Sequence, residues 1–332
     1  MRYRRLGRTA LKVSELCLGT MNFGPRTPEK ESHEILDQAV ELGINFIDIA
    51  NQYGGHLGVG ATETILGKWL SAKSGRRDNL VLATKVYEPM SSDINDRGLS
   101  ARHIQMACDA SLKRLQVDHI DLYQFHHIDR TAPPEEIWQA TDRLIAQGKI
   151  TYVGSSNFPG WKIAQMNERA AVRNRLGNER AAVRNRLGLI SEQSLYNLIE
   201  RRAELEVIPA ALEYGLGVIS WSPLAGGLLS LDSGEDGGRR RSDAIRSERQ
   251  ARQDQLTRFS QVCAEFGEAP SAVALAWALH QAGIAATIIG PSNKEQLTSI
   301  AHVPDIVLNA DILLKIDAIF PPCGSAPEAY AW

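Results

Sequence analysis

The chain alternates short, largely apolar runs with longer segments in which apolar residues recur every three or four positions. The short runs are Leu16–Gly19, Asn45–Ile49, Leu80–Lys85, Ile120–Phe125, Tyr152–Ser155, Leu189–Gln193, Gly217–Trp221 and Ala286–Gly290. Runs apolar on both faces read as strands of a buried parallel sheet. The first helix is expected at Thr27-Pro28, a cap residue before a first-turn proline, with Ile35, Leu36, Ala39, Val40 and Leu42 on one face and Gly43 at its end. Further helices are expected over Thr62–Leu70, over Ser100–Leu115 with Ser100 as cap, from Pro133 to Gln147, and from about Glu200 to Tyr214. Four more follow near Gln255–Phe266, Ser271–Gln281, Lys294–Ala301 and Asp311–Phe320. Eight strand-helix units in succession predict an α/β fold: a closed (β/α)8 TIM barrel, one domain over 1–332, with an N-terminal hairpin around Gly7-Arg8-Thr9 and extra C-terminal helices.

Two segments interrupt the alternation. Asn167-Glu-Arg-Ala-Ala-Val-Arg-Asn-Arg-Leu-Gly177 is followed at once by the same eleven residues at 178–188. Eleven residues are about three helical turns, so a helix lengthened by this unit keeps nearly the same face inward. A repeat array would recur several times along the chain. The reading is therefore a tandem duplication within one outer helix over 167–188. Residues 231–253 are polar, rich in Gly, Arg and Asp, and too poor in apolar residues to pack by themselves, so a mobile surface loop is expected there.

Composition narrows the function classes. The net charge is -2, with acidic and basic residues interleaved, which is not the electrostatic footprint of a nucleic-acid binder. Cys17, Cys108, Cys263 and Cys323 are few and widely spaced, with no Cys-x-x-Cys pair, and read as reduced thiols. The basic start at Met1–Arg8 is not followed by an apolar stretch, and no run of about 18 apolar residues occurs. A cytoplasmic protein with no membrane partner, monomeric or homo-oligomeric, is expected.

The candidate chemistry sits at strand ends. Asp48 inside an apolar strand must find a cation or hydrogen-bond donors, and Tyr53 follows just beyond. Lys85 and His126 end the next two strands. In such a barrel the strands' C-terminal ends meet in one site. A lysine ammonium stabilises phenolate, and a carboxylate against that lysine keeps it charged and positioned. Tyr53 can then protonate a carbonyl oxygen while His126 orients it. The hydride for such a reduction must come from a cofactor.

Asn45-Phe-Ile-Asp-Ile-Ala-Asn-Gln-Tyr, Ala83-Thr-Lys-Val, Asp121-Leu-Tyr-Gln-Phe-His-His, Val153-Gly-Ser-Ser-Asn-Phe and Trp221-Ser-Pro-Leu-Ala-Gly-Gly together resemble the aldo-keto reductase superfamily over nearly the whole chain. The resemblance implies Tyr53 as proton donor, tuned by Lys85 and Asp48, with His126 orienting the substrate. It implies that Ser156, Asn157 and Gln193 hold a nicotinamide amide, that Trp221 stacks on the ring, and that Ser222, Pro223, Leu224 and Gly226 lie along the pyrophosphate. It also implies cofactor contacts from Gly19, Thr20, Met21, Gly290, Ser292, Lys294 and Gln296. Ser292 stands where related members often carry arginine, and Ile300 where they often carry asparagine, which weakens the grip on a 2'-phosphate. NADPH remains the expected cofactor ahead of NADH. The expected activity is reduction of small aldehydes, ketones or sugars, with a nucleotide-hexose 2,3-enoyl reductase or a non-catalytic nicotinamide-binding subunit as alternatives.

Asp48 and Lys85 alone read as a buried ion pair, and Lys85 as a Schiff-base lysine does not need the Ser-Ser-Asn and Trp-Ser-Pro-Leu elements. The pair His126-His127 with Asp129 suggests a metal, but neighbours on a strand point to opposite faces, so no metal is expected and His127 is placed away from the site. Arg239-Arg-Arg reads as part of a solvated loop.

Overall fold

The computed structural model describes residues 1–172, 187–230 and 243–331. An antiparallel hairpin of β1 (Tyr3–Arg5) and β2 (Lys12–Ser14) precedes eight strands. These are β3 (Leu16–Gly19), β4 (Phe46–Asp48), β5 (Val81–Val86), β6 (Ile120–Phe125), β7 (Ile150–Ser156), β8 (Leu189–Leu195), β9 (Gly217–Trp221) and β10 (Ile284–Ile289). They pair in parallel in chain order, and β10 closes onto β3, so the predicted (β/α)8 barrel is present.

Closure follows from the apolar runs, since a strand buried on both faces needs a filled interior and a helical outer layer. Inside, Cys17, Phe46, Leu122, Ile190 and Ile219 pack with Leu6 and Val13 of the hairpin region, which plug the floor. Arg4 ties the hairpin down by donating from Nη1 to the carbonyls of Leu279 and Ile284, 2.7 Å each. With the floor sealed, the opposite rim is left for chemistry.

The outer layer consists of α1 (Glu29–Glu41), α2 (Ala61–Ser71), α3 (Ala101–Leu115), α4 (Pro134–Ala146), α5 (Gly160–Val172) and α6 (Val207–Glu213). Then come α7 (Asp243–Ala251), α8 (Gln253–Phe266), α9 (Pro270–His280), α10 (Lys294–Ser299), α11 (Ala310–Ile319) and α12 (Glu328–Ala331). Ser100 caps α3 as expected, accepting from the His103 N–H at 3.2 Å. α1 differs in two details. Pro28 itself occupies the cap position, and Val40 is 46% exposed because it lies at the edge of a buried stripe formed by Ser32, Ile35, Leu36 and Ala39.

The loop expected over 231–253 is corrected in its second half, where Asp243–Ala251 is helical. Strong helix formers, an Arg246–Asp243 ion pair and an Arg252–Glu248 pair stabilise it locally. Arg249 adds a tertiary contact, donating to the Gly227 carbonyl at 3.3 Å. Residues 231–242, including Arg239-Arg-Arg, lie outside the described residues, as do 173–186 of the duplication. Where the duplicated segment leaves and rejoins the barrel, Asn167 Oδ1 accepts the Leu189 N–H at 3.1 Å.

One irregularity positions the site. Val153 pairs with Leu189, but Ser155 pairs with Glu192 and Ser156 with Gln193, so β8 carries an extra residue opposite Gly154. Gly154 makes the room, because a Cβ there would meet Ser191 Oγ at 2.4 Å. Such a bulge shifts the alternation of side chains. Ile190 can therefore fill the barrel floor while Gln193, three residues on, also points inward.

Candidate active site

Two-residue periodicity carries apolar floor residues up to polar rim residues on the same inward face: Phe46 to Asp48, Ala83 to Lys85, Leu122 to Gln124. At the rim the Lys85 Nζ lies 2.5 Å from Asp48 Oδ2, 3.0 Å from the Ile49 carbonyl and 3.4 Å from Tyr53 Oη. The other Asp48 oxygen accepts from Gln193 Nε2 at 2.8 Å and Gln124 Nε2 at 3.0 Å. Lys85 is fully buried. Burial by itself pulls its pKa down, but the charge of Asp48, its hydrogen bond and the proximity of Tyr53 more than offset that, leaving Lys85 above the ordinary lysine value. The ammonium therefore stays charged, within hydrogen-bond reach of the Tyr53 hydroxyl.

Tyr53 sits past β4 on a turn closed by its N–H to the Ala50 carbonyl at 3.1 Å. Its ring stands edge-on to His126, centroids 6.0 Å apart. His126 follows β6 and is held neutral: burial, then Lys85, then His127 lower its pKa to about 2. Its Nδ1 has no hydrogen-bond partner among the described residues. A neutral imidazole can orient a carbonyl oxygen but is a poor proton donor to it.

Ser156, Asn157, Gln193 and Trp221 form one hydrogen-bonded group. Asn157 has a left-handed φ of 58°. Its amide donates to the His126 carbonyl at 3.0 Å and to Ser156 Oγ at 3.1 Å, and its Oδ1 accepts from the Trp221 indole at 3.1 Å. Ser156 Oγ in turn donates to the Gln193 carbonyl at 2.9 Å. Directly behind this loop lies Glu192, fully buried, a residue the sequence analysis did not single out. Its carboxylate accepts from Ser155 Oγ at 2.5 Å, the Phe158 N–H at 3.0 Å and Ser194 Oγ at 3.0 Å. Burial outweighs these bonds and raises its pKa to about 7.

All of this opens into a cavity of about 640 Å³ that runs across the barrel mouth. Asp48, Tyr53 and His126 line one end, with Gly19, Thr20 and Met21 alongside. Ser156, Asn157, Gln193 and Trp221 line its middle, then Ser222, Pro223, Leu224 and Gly226. Gly290, Ser292 and Gln296 line the far end. Lys294 is not brought there, since its ammonium lies 3.4 Å from Glu34 Oε2. The segment beside the middle has positive φ at Ser222, Ala225, Gly226 and Gly227, the kind of turning backbone that gathers N–H groups into an anion cradle. Such a cradle suits a phosphate-bearing ligand.

His127 departs from its expected place. β6 ends at Phe125, so strand alternation no longer governs residue 127, and its ring stacks on that of His126 at 4.9 Å and 9° and lines the cavity. Gln124 and Gln52 were likewise not singled out. Gln124 was legible as the inward residue between Leu122 and His126, whereas His127 and Glu192 carried no signal in the sequence. Among the described residues no cluster of three metal-ligating side chains occurs and no helix is long and apolar enough to cross a membrane.

Comparison with known proteins agrees with this architecture. The sequence profile described as Aldo/keto reductase family matches residues 15–320. The uncharacterized oxidoreductase YrpG of Bacillus subtilis is 48% identical over 344 aligned positions, covering 100% of both chains. A probable voltage-gated potassium channel subunit beta from Oryza sativa is 31% identical, covering 99% of this chain and 100% of its own. Versiconal hemiacetal acetate reductase of Aspergillus parasiticus is also 31% identical, covering 97% of this chain and 98% of its own.

Proposed function

The chain belongs to the aldo/keto reductase family, and from that premise we propose that it is an NADPH-dependent oxidoreductase that reduces the carbonyl group of small aldehydes, ketones or sugars to an alcohol. One observation carries the reading: the Lys85 ammonium bridges buried Asp48 and Tyr53 Oη beside a histidine held neutral. Tyr53 gives its hydroxyl proton to the carbonyl oxygen. Lys85 stabilises the phenolate left behind, Asp48 keeps Lys85 charged and in place, and the His126 imidazole orients the oxygen. NADPH, when bound, supplies the hydride. Ser156, Asn157 and Gln193 would hold its amide end, Trp221 would lie beside the ring, and the 222–227 backbone would receive its pyrophosphate. Gly19, Thr20 and Met21 would also contact it, while Gly290, Ser292 and Gln296, joined by Lys294 on release from Glu34, would take the adenosine end.

Replacing Tyr53 with Phe is expected to abolish NADPH-dependent aldehyde reduction while NADPH still quenches tryptophan fluorescence. Undiminished turnover by Tyr53→Phe refutes the proton-donor assignment. A second reading, a nicotinamide-binding subunit without turnover, is favoured by the potassium channel beta relatives. The presence of Asp48, Tyr53, Lys85 and His126 in one hydrogen-bonded and ring-contact cluster favours the enzyme. Wild-type protein that binds NADPH and turns over no carbonyl would decide for the subunit.

A further inference from the structure

Beyond the four residues above, the cavity wall nearest His126 is polar and organised. The His127 ring lies parallel to that of His126 at 4.9 Å. Its Nε2 is 3.1 Å from Glu88 Oε1, and the Tyr87 ring meets it edge-on at 5.5 Å. His127 is thus fixed on three sides while its side chain stays 41% exposed and lines the same cavity as Tyr53. Gln52, next to Tyr53 in sequence, adds an amide to that wall.

A ring placed one stacking distance beyond His126 addresses whatever is bonded to the carbonyl carbon, not the oxygen itself. A substrate hydroxyl both donates and accepts, so it can exchange hydrogen bonds with either imidazole or amide. An alkyl chain would instead cover His127 and Gln52 and leave the His127 nitrogen not engaged by Glu88, and the Gln52 amide, without partners, the situation in which a hydrogen-bonding site rejects an analogue most strongly. An anionic substituent is disfavoured here, because the Glu88 carboxylate stands directly behind the ring. Asp129 adds a second negative charge that, with Glu88, raises the Tyr87 pKa after burial has begun to do so.

We propose that His127, oriented by Glu88, is a specificity-determining residue that selects carbonyl substrates bearing a hydroxyl on the carbon next to the carbonyl group. The assignment rests on the carbonyl-reduction reading above. It is tested by kcat/KM with NADPH for D-glyceraldehyde, propanal and, because Arg26 also lines the cavity, succinic semialdehyde. The wild type should prefer glyceraldehyde to propanal by about tenfold or more, and His127→Leu should reduce that ratio by about tenfold. Glu88→Gln and His127→Asn should give intermediate ratios, and they decide the matter if His127→Leu does not fold. A His127→Leu ratio within about twofold of wild type overturns the assignment, as does a preference for the semialdehyde that His127→Leu removes. Turnover of all three aldehydes with an unmoved ratio refutes His127 alone. Wild-type protein whose fluorescence is quenched by NADPH but which reduces none of them refutes the underlying reading and this assignment with it.

Discussion

Two buried side chains around Asn157 pull stability in opposite directions as pH changes. His126 has its pKa depressed to about 2, so its contribution is present above the unfolded value of 6.5 and is lost as pH falls toward 2. Glu192 has its pKa raised to about 7 from 4.5, so its contribution is full below 4.5 and is lost as pH rises through about 7. At roughly 1.4 kcal/mol per pKa unit the Glu192 effect is on the order of 3 kcal/mol. Glu192→Gln removes it while keeping the loop: the new amide accepts from Phe158 and donates to Ser155 Oγ, which turns to the Ser191 carbonyl 3.4 Å away. The stability gap between Glu192→Gln and wild type should therefore widen in favour of the variant from pH 5 to pH 7.5, read by denaturant melts. A gap that does not change with pH removes the assignment. At this scale Asp48, Lys85 and Tyr53 were legible in advance, because an ionisable group at the end of an apolar strand has few explanations. Glu192 was not, since the groups that meet its carboxylate from outside its own strand, Ser155 and Phe158, lie on β7 and the loop after it, distant in sequence.

At the scale of elements, strands and helices followed from periodicity, but two departures did not. The β8 bulge depends on Gly154 of the neighbouring strand vacating space, and no pattern within 189–195 shows it. α7 forms where low apolar content suggested a loop, since helix propensity, local ion pairs and Arg249 on Gly227 supply what apolar burial does not. The duplicated segment leads to a prediction at this scale. Its two anchors, Asn167 and Leu189, are hydrogen-bonded to each other, and deleting either eleven-residue copy yields one and the same chain with an equivalent Asn and Leu189 retained. The deletion variant should be soluble, with stability and aldehyde reduction close to wild type in melts and steady-state assays. Loss of soluble protein would show that the second copy carries packing of its own.

For the whole molecule, closure of the sheet brings residues 48, 85, 126 and 193 to one rim and lays a cavity from Tyr53 to Gln296 across it. Around residues 290–296, Lys294 is paired with Glu34 and the cavity lining is neutral at Ser292 and Gln296. NADPH is expected to be used with a higher kcat/KM than NADH, through Lys294 exchanging Glu34 for a 2'-phosphate; a clear preference for NADH overturns that choice. By itself the sequence determined the barrel and the strand ends at which Asp48 and Lys85 meet, because strand and helix periodicities and an aspartate within an apolar strand are properties of contiguous residues. Only the tertiary structure decided that Gln193 faces Asp48, that Glu192 lies beneath Asn157, and that His127 joins the cavity. Each depends on a bulge, a loop or a strand end, where periodicity stops and contacts between distant segments choose the direction of a side chain.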